Sequence, residues 1–322
     1  MRFFDLHCDT MGECSLKDIP LRNNRTLQIS LERAGNFSAW FQCFAAWIPD
    51  DAASPLAYFR RIARRLEWEL KQNEDRMLQC RTAEDLHRAV REKKCGAIFT
   101  VEGGSVLEGR CEVLDELAGL GVKVMTLTWN AANQIGGGAQ EPGGLTPFGK
   151  EVLAKMESLG ILPDVSHASE PLFWDVLENT RGPVIATHSD AKALCSHPRN
   201  LTDQQFLALK QRGGLVGLNF YPTFLADSGK AEAVDILRHA EHFLSLGGEE
   251  VLAMGSDFDG ADMPSGITGI GSMEYLAELF ARHGYSDDLI DRIFYQNSFR
   301  FFEKYMCDMV KSADSFDKLG KL

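Results

Sequence analysis

The chain has 322 residues, 44% of them hydrophobic and 25% charged, which is the composition of a globular protein able to bury a full core. A net charge of −12 argues against nucleic acid or an anionic membrane surface as the main partner, because both demand a basic face. Eight cysteines without a Cys-x-x-Cys pair read as reduced, mostly buried thiols of a cytoplasmic protein rather than a disulfide framework.

The first apolar run, 2–6, ends on His7-Cys8-Asp9, which puts two metal-ligand side chains on one side of a strand end and Cys8 on the other. Asp5 and His7 interrupt any secretory apolar core, so no signal peptide is expected. The longest uncharged stretch, 34–49, contains Gly35, Asn36, Ser38 and Gln42 and is too short and polar to span a bilayer. Within it lies the second strand-like run, 39–45. The segment 55–72 is an amphipathic helix: Phe59, Ile62, Ala63, Leu66 and Leu70 share a stripe opposite Arg60, Arg61, Arg64 and Glu67. Another helix over 82–93 opens with an N-cap threonine and acid in its first turn.

Further strand-like runs follow at 97–101, 122–128, 162–165, 184–187, 215–219 and 251–255, making eight in all. They alternate with helix candidates at 111–120, 147–159, 170–180, 202–212, 233–246, 273–283 and 287–306. Most of the runs are near-continuously apolar, as strands buried on both faces should be. Eight such alternations predict an α/β protein, a single (β/α)8 TIM-like barrel of the metal-dependent hydrolase type over 1–322. The glycine-rich stretch 136–144 lacks a phosphate-loop spacing and reads as a mobile loop after the fourth run.

In a parallel barrel, residues just past each strand converge on one mouth. That rule gathers His7, Asp9, Glu102, His167, His188 and Asp257. Each has a plain structural alternative, such as a hydrogen-bonded histidine, a helix-capping Glu102 or a turn-forming Asp257. Six such residues at barrel strand ends are much harder to explain as coincidence than any one. Glu102 can bridge two divalent ions roughly 3.5–4 Å apart, with His7 and Asp9 completing one shell and His167 and His188 the other. Imidazole with carboxylate suits Zn²⁺, with Mn²⁺ or Co²⁺ acceptable. Two divalent ions against two carboxylates and a bridging hydroxide leave a centre of about +1, able to polarise a carbonyl and hold a nucleophile at neutral pH. Asp257 is then the natural proton shuttle and Asp259 a less favoured rival, while Arg199 reads either as a bidentate grip for a substrate carboxylate or as an ordinary surface or loop-bracing arginine. His87, His239, His242 and His283 fall on helix candidates and read as surface or packing residues.

These motifs, in order, resemble the renal-type (membrane) dipeptidases of peptidase family M19. The matching stretches are Asp5-Leu6-His7-Cys8-Asp9-Thr10, Val101-Glu102-Gly103-Gly104, Asp164-Val165-Ser166-His167, Ala186-Thr187-His188-Ser189, Pro198-Arg199-Asn200, Gly255-Ser256-Asp257-Phe258-Asp259-Gly260 and Asn297-Ser298-Phe299-Arg300-Phe301-Phe302-Glu303. The resemblance implies a distorted barrel holding two zinc ions bridged by Glu102, with Asp257 moving the proton and Arg199 binding the dipeptide carboxylate. It implies hydrolysis of dipeptides, often with a C-terminal D-residue, by a homodimer. Animal members carry a signal and lipid anchor, so this chain is expected to be a bacterial-type cytoplasmic member. One departure stands out. Where the best-known members place a histidine after the fourth strand, this chain has Trp129, followed by Asn130. Either Asn130 supplies the polar contact, or oxyanion stabilisation falls more heavily on the metals. Rival readings are an amidase or deacylase of another small carboxylated amide, and a non-catalytic metal-binding barrel.

Overall fold

The computed structural model describes residues 1–35 and 37–319, with side chains to residue 309. Its strands are β1 (Arg2–Cys8), β2 (Ala39–Trp47), β3 (Met77–Gln79), β4 (Cys95–Glu102), β5 (Val122–Thr126), β6 (Leu162–Asp164), β7 (Val216–Leu218) and β8 (Leu252–Met254), and every pairing among them is parallel. The hydrogen-bonded order is β6-β5-β4-β2-β1-β8-β7. The ring closes through residues 184–187, where Val165 N donates to Ile185 O, Ala186 N to Leu215 O and Gly217 N to Ala186 O. These are isolated bridges rather than the regular strand expected there. Pro163, opposite this segment, has no N–H and can only accept, from Ile185 N, so the ladder cannot continue.

The eight expected runs are thus the eight staves, with one irregular. β3 was not expected. It pairs with Cys95–Ala97, below the Phe99–Glu102 stretch of β4 that pairs with β5. Because β2 occupies the other edge of β4 throughout, β3 fills the gap beneath β5 at the barrel floor.

Each stave sends apolar side chains into the lumen, among them Phe4, Phe41, Ile98, Val124, Leu162, Ile185, Leu215 and Ala253. Phe302, from the C-terminal helix Asn297–Leu319, plugs the floor, its ring stacked 5.4 Å from Phe4. Burying such rings in a dry, close-packed lumen makes the barrel a rigid platform rather than a pore. Helices pack outside, and Thr82 caps Ala83–Glu92 through a reciprocal bond pair with Asp85, as its sequence foretold. The helix Thr10–Lys17, directly after Asp9, was not foreseen.

Two local features aim side chains at the mouth. In β1, Asp5 pairs with Gln42 but Cys8 with Phe44, so three steps oppose two. This bulge breaks the alternation: Leu6 joins the lumen, Cys8 the outer core, and His7 turns to the mouth. The glycine-rich loop, expected to be mobile, is instead tied down. Gln140 N donates to Asn130 O, Ser169 N to Gly137 O, and Ser169 Oγ to Gly143 O. A Cβ on Gly138 would fall 2.4 Å from Ala131 O and 2.5 Å from Asn130 O, so only glycine lets the two strands of this loop touch.

Candidate metal centre and active site

His7, Asp9, Glu102, His167 and His188 are all buried, and Asp257 nearly so, and their donor atoms meet at the stave ends. His7 Nε2 lies 3.3 Å from Asp9 Oδ2, 3.5 Å from Glu102 Oε2 and 3.8 Å from Asp257 Oδ1. Glu102 turns its other oxygen the opposite way, 2.8 Å from His167 Nε2 and 3.5 Å from His188 Nε2. Glu102 therefore stands between two donor groups, His7 with Asp9 and His167 with His188. A third grouping joins His7, His188 and Asp257.

Burial, aided by the neighbouring Asp9 and Asp257 carboxylates, pushes the Glu102 carboxyl up to about 7 against the pull of His7. Burial also works against charging His7, but Glu102 and Asp9 outweigh it and raise its pKa well above the ordinary value. His167 and His188 are held well below theirs, by burial first and then by nearby cations. The cluster is thus a set of buried carboxylates seeking positive charge beside two neutral imidazoles.

That chemistry fits a divalent metal. Donors sharing one tetrahedral ion at 2.0–2.2 Å stand about 3.3–3.6 Å apart, close to the spacings found. His7 Nε2 and Asp9 Oδ1 are buried without hydrogen-bond partners, and the His167 and His188 Nε2 atoms face each other at 3.0 Å. At that distance one Nε2–H can donate to the other ring, or both lone pairs can share one cation.

The donors open into a cavity of about 780 Å³, within the range of small-molecule sites. Asp257, in a left-handed turn with φ 63°, is aligned with β1 by its N–H to His7 O. Burial raises its pKa, and Asn219 Nδ2 donates to its Oδ2 at 3.0 Å. Asp259 has both carboxylate oxygens engaged in the fold, accepting from Thr10 Oγ1 and Gln28 N at 2.6 Å each.

Arg199 is 4% exposed and donates one bond, Nη2 to His188 O at 3.2 Å. Its Nε and Nη1 have no partner. Phe224 lies beneath the guanidinium, and burial lowers its pKa to about 10 although Asp257 and Glu102 oppose the shift. Trp129 and Asn130 line the same cavity. Trp47, unforeseen because the second run was ended at Ala45, meets Trp129 edge to face at 5.0 Å and makes the wall aromatic. His197, Tyr221 and Phe224 form the wall near Arg199 and were likewise not singled out. His239 is a packing residue, accepting from Ala191 N and facing Leu225 O.

The fold and donor set define a metal-dependent hydrolase barrel. Residues 1–312 match the profile of the membrane dipeptidase family, peptidase family M19. The solved structure of dipeptidase AC, an M19 metallopeptidase, superposes with a TM-score of 0.89 at 27% identity, over 95% of this chain and 99% of that one. A Rhodobacter sphaeroides metallopeptidase, liganded with a phosphinate mimic of the dipeptide L-Ala-D-Ala, gives 0.88 at 27% identity over 94% and 99%. An uncharacterized Klebsiella pneumoniae protein from the pqqA 5′ region is 33% identical over 237 residues, 70% of this chain and 88% of that protein. The chain belongs to this family of metallo-dipeptidases. No helix among the described residues is long and apolar enough to cross a membrane.

Proposed function

We propose that the chain is a binuclear zinc dipeptidase, cleaving dipeptides that carry a free carboxylate and accepting a D-residue at the second position. One observation carries this reading: a Glu102-centred donor cluster and a buried guanidinium with unpaired N–H groups border one dipeptide-sized cavity. The ligand of the Rhodobacter relative supports the dipeptide and the D-residue.

His7, Asp9 and Glu102 would hold one ion, and Glu102, His167 and His188 the other, with Mn²⁺ or Co²⁺ able to substitute. When bound, the ions supply Lewis acidity that polarises the scissile carbonyl and lowers the pKa of water. Arg199 offers the second Nη2–H, paired with an unpartnered Nε–H or Nη1–H beside it, to the terminal carboxylate, which fixes the peptide across the mouth. Asp257, steadied by Asn219 at one oxygen, keeps the other toward the cavity and carries a proton from the attacking water to the leaving amine. Trp129 and Trp47 keep solvent from one side of the substrate, and Asn130 offers an amide there. The reading includes a cytoplasmic homodimer, resting on the family resemblance and on the unpaired state of all eight cysteines.

The second reading, an amidase or deacylase, draws on Trp129 in place of the expected histidine. The test is mass-spectrometric turnover of L-L and L-D dipeptides beside N-acyl amino acids, with zinc supplied. Free amino acids released from the dipeptides support the dipeptidase; cleavage of N-acyl amino acids alone moves the assignment to the second reading.

A further inference from the structure

We propose that Asp164 is the positioning residue of the metal centre, acting through the hydroxyls of Thr187 and Ser166 on His188; this rests on the metallo-dipeptidase reading above. Asp164 ends β6 and is fully buried. Its carboxylate accepts five hydrogen bonds: from Thr126 Oγ1 at 2.6 Å, Ser166 N at 3.0 Å, Ser166 Oγ at 2.7 Å, Thr187 N at 3.0 Å and Thr187 Oγ1 at 2.6 Å. It thereby ties together the two loops that carry His167 and His188.

Proton counting gives the arrangement a direction. A hydroxyl has one proton to donate, and a buried carboxylate is the strongest acceptor in reach. Both the Thr187 and Ser166 protons are therefore committed to Asp164. Thr187 Oγ1 also lies 2.7 Å from His188 Nδ1, and that contact has to be made by an Nδ1–H. His188 is thus fixed as the Nδ1–H tautomer. Its Nε2 lone pair is left facing Glu102 Oε1 at 3.5 Å and His167 Nε2 at 3.0 Å. Ser166 Oγ accepts the His188 backbone N–H at 3.1 Å, and His188 O accepts from Arg199. The side chain and the main chain of His188 are thus anchored to one carboxylate, the main chain through Ser166 and the ring through Thr187.

The test compares Thr187→Val with Thr187→Ser. Valine keeps the shape and the backbone bond to Asp164 but removes the acceptor for His188 Nδ1–H, whereas serine restores it. Zinc affinity is read by competition against a chromophoric chelator, alongside the melting temperature of the metal-free protein. Thr187→Val should weaken zinc binding by about 10–100-fold, as loss of a partner behind a metal-bound histidine does. Thr187→Ser should stay close to wild type. At saturating zinc, KM in Thr187→Val should remain near wild type, because Ser166 still holds the His188 main chain whose carbonyl accepts from Arg199. Asp164→Asn, whose amide N–H turns the hydroxyl relay around, should weaken zinc similarly if the valine variant does not fold. Wild-type zinc affinity in Thr187→Val, or equal damage in the valine and serine variants, overturns the inference and leaves the dipeptidase reading standing. A wild-type chain that takes up no metal overturns both.

Discussion

Replacing Arg199 by alanine isolates the carboxylate grip. The guanidinium is buried with Nε and Nη1 unpartnered and one Nη2–H unused, so a bound carboxylate would gain two charge-assisted bonds, one from Nη2 and one from its Nε or Nη1 neighbour. Hydrogen bonds to charged groups contribute about 1.5–3 kcal/mol each. At the low end two of them give about 3 kcal/mol, which corresponds to a loss of about 150-fold in kcat/KM. Most of it should appear as a higher KM, since the carboxylate is held alike in the ground and transition states. The substitution also removes the bond to His188 O and the packing on Phe224, so a control has to separate binding from damage to the site. Each dipeptide is therefore assayed beside its C-terminal amide, which offers Arg199 no anion. The expected result is a large loss on the free acid and a small one on the amide. Equal losses on both would refute the assignment and make Arg199 a structural brace.

Other substitutions separate roles that share the mouth. Asp257→Asn should keep the metal content while lowering kcat by about 100- to 10,000-fold, measured by elemental analysis beside turnover; unchanged kcat would place the proton shuttle elsewhere. Gly260→Ala would put a Cβ 2.1 Å from Asp9 Oδ2 and 2.8 Å from Asp257 Oδ1, so it should lower zinc affinity without unfolding the barrel, and wild-type affinity by chelator competition would contradict that packing. Burial lowers the pKa of His239, so the fold favours its neutral form and the unfolded chain binds the extra proton. Its contribution is complete above the unfolded pKa of about 6.5 and is lost as pH falls below it. Melting temperature should accordingly fall more steeply between pH 7 and 5 in wild type than in His239→Asn; equal slopes would assign the acid sensitivity to other groups.

Much of this architecture was legible because parallel barrel strands, buried on both faces, leave continuous apolar runs, and because mouth residues fall immediately after them. His7, Asp9, Glu102, His167, His188 and Asp257 were found by that rule, and the structure gathers them. The less legible parts have local causes. β3 is three residues long, too short to show a pattern. Residues 184–187 look like a strand in composition, but Pro163 denies them a regular ladder. Trp47 lies two residues beyond the apolar run 39–45, although β2 continues through it. Asp164 and Asn219 are polar residues at the ends of apolar runs, a signal that the rule for strand ends contains but that metal-ligand chemistry alone does not single out. The glycine-rich loop shows the limit of composition: its glycines permit close packing rather than motion.

The central claim is a two-metal centre bridged by Glu102, and metal stoichiometry tests it most directly. Elemental analysis of the chain after zinc reconstitution and desalting, beside Glu102→Ala treated alike, should find about two zinc ions per wild-type chain and a severe loss in the variant. Fewer than about one ion per wild-type chain, or full retention in Glu102→Ala, would contradict it.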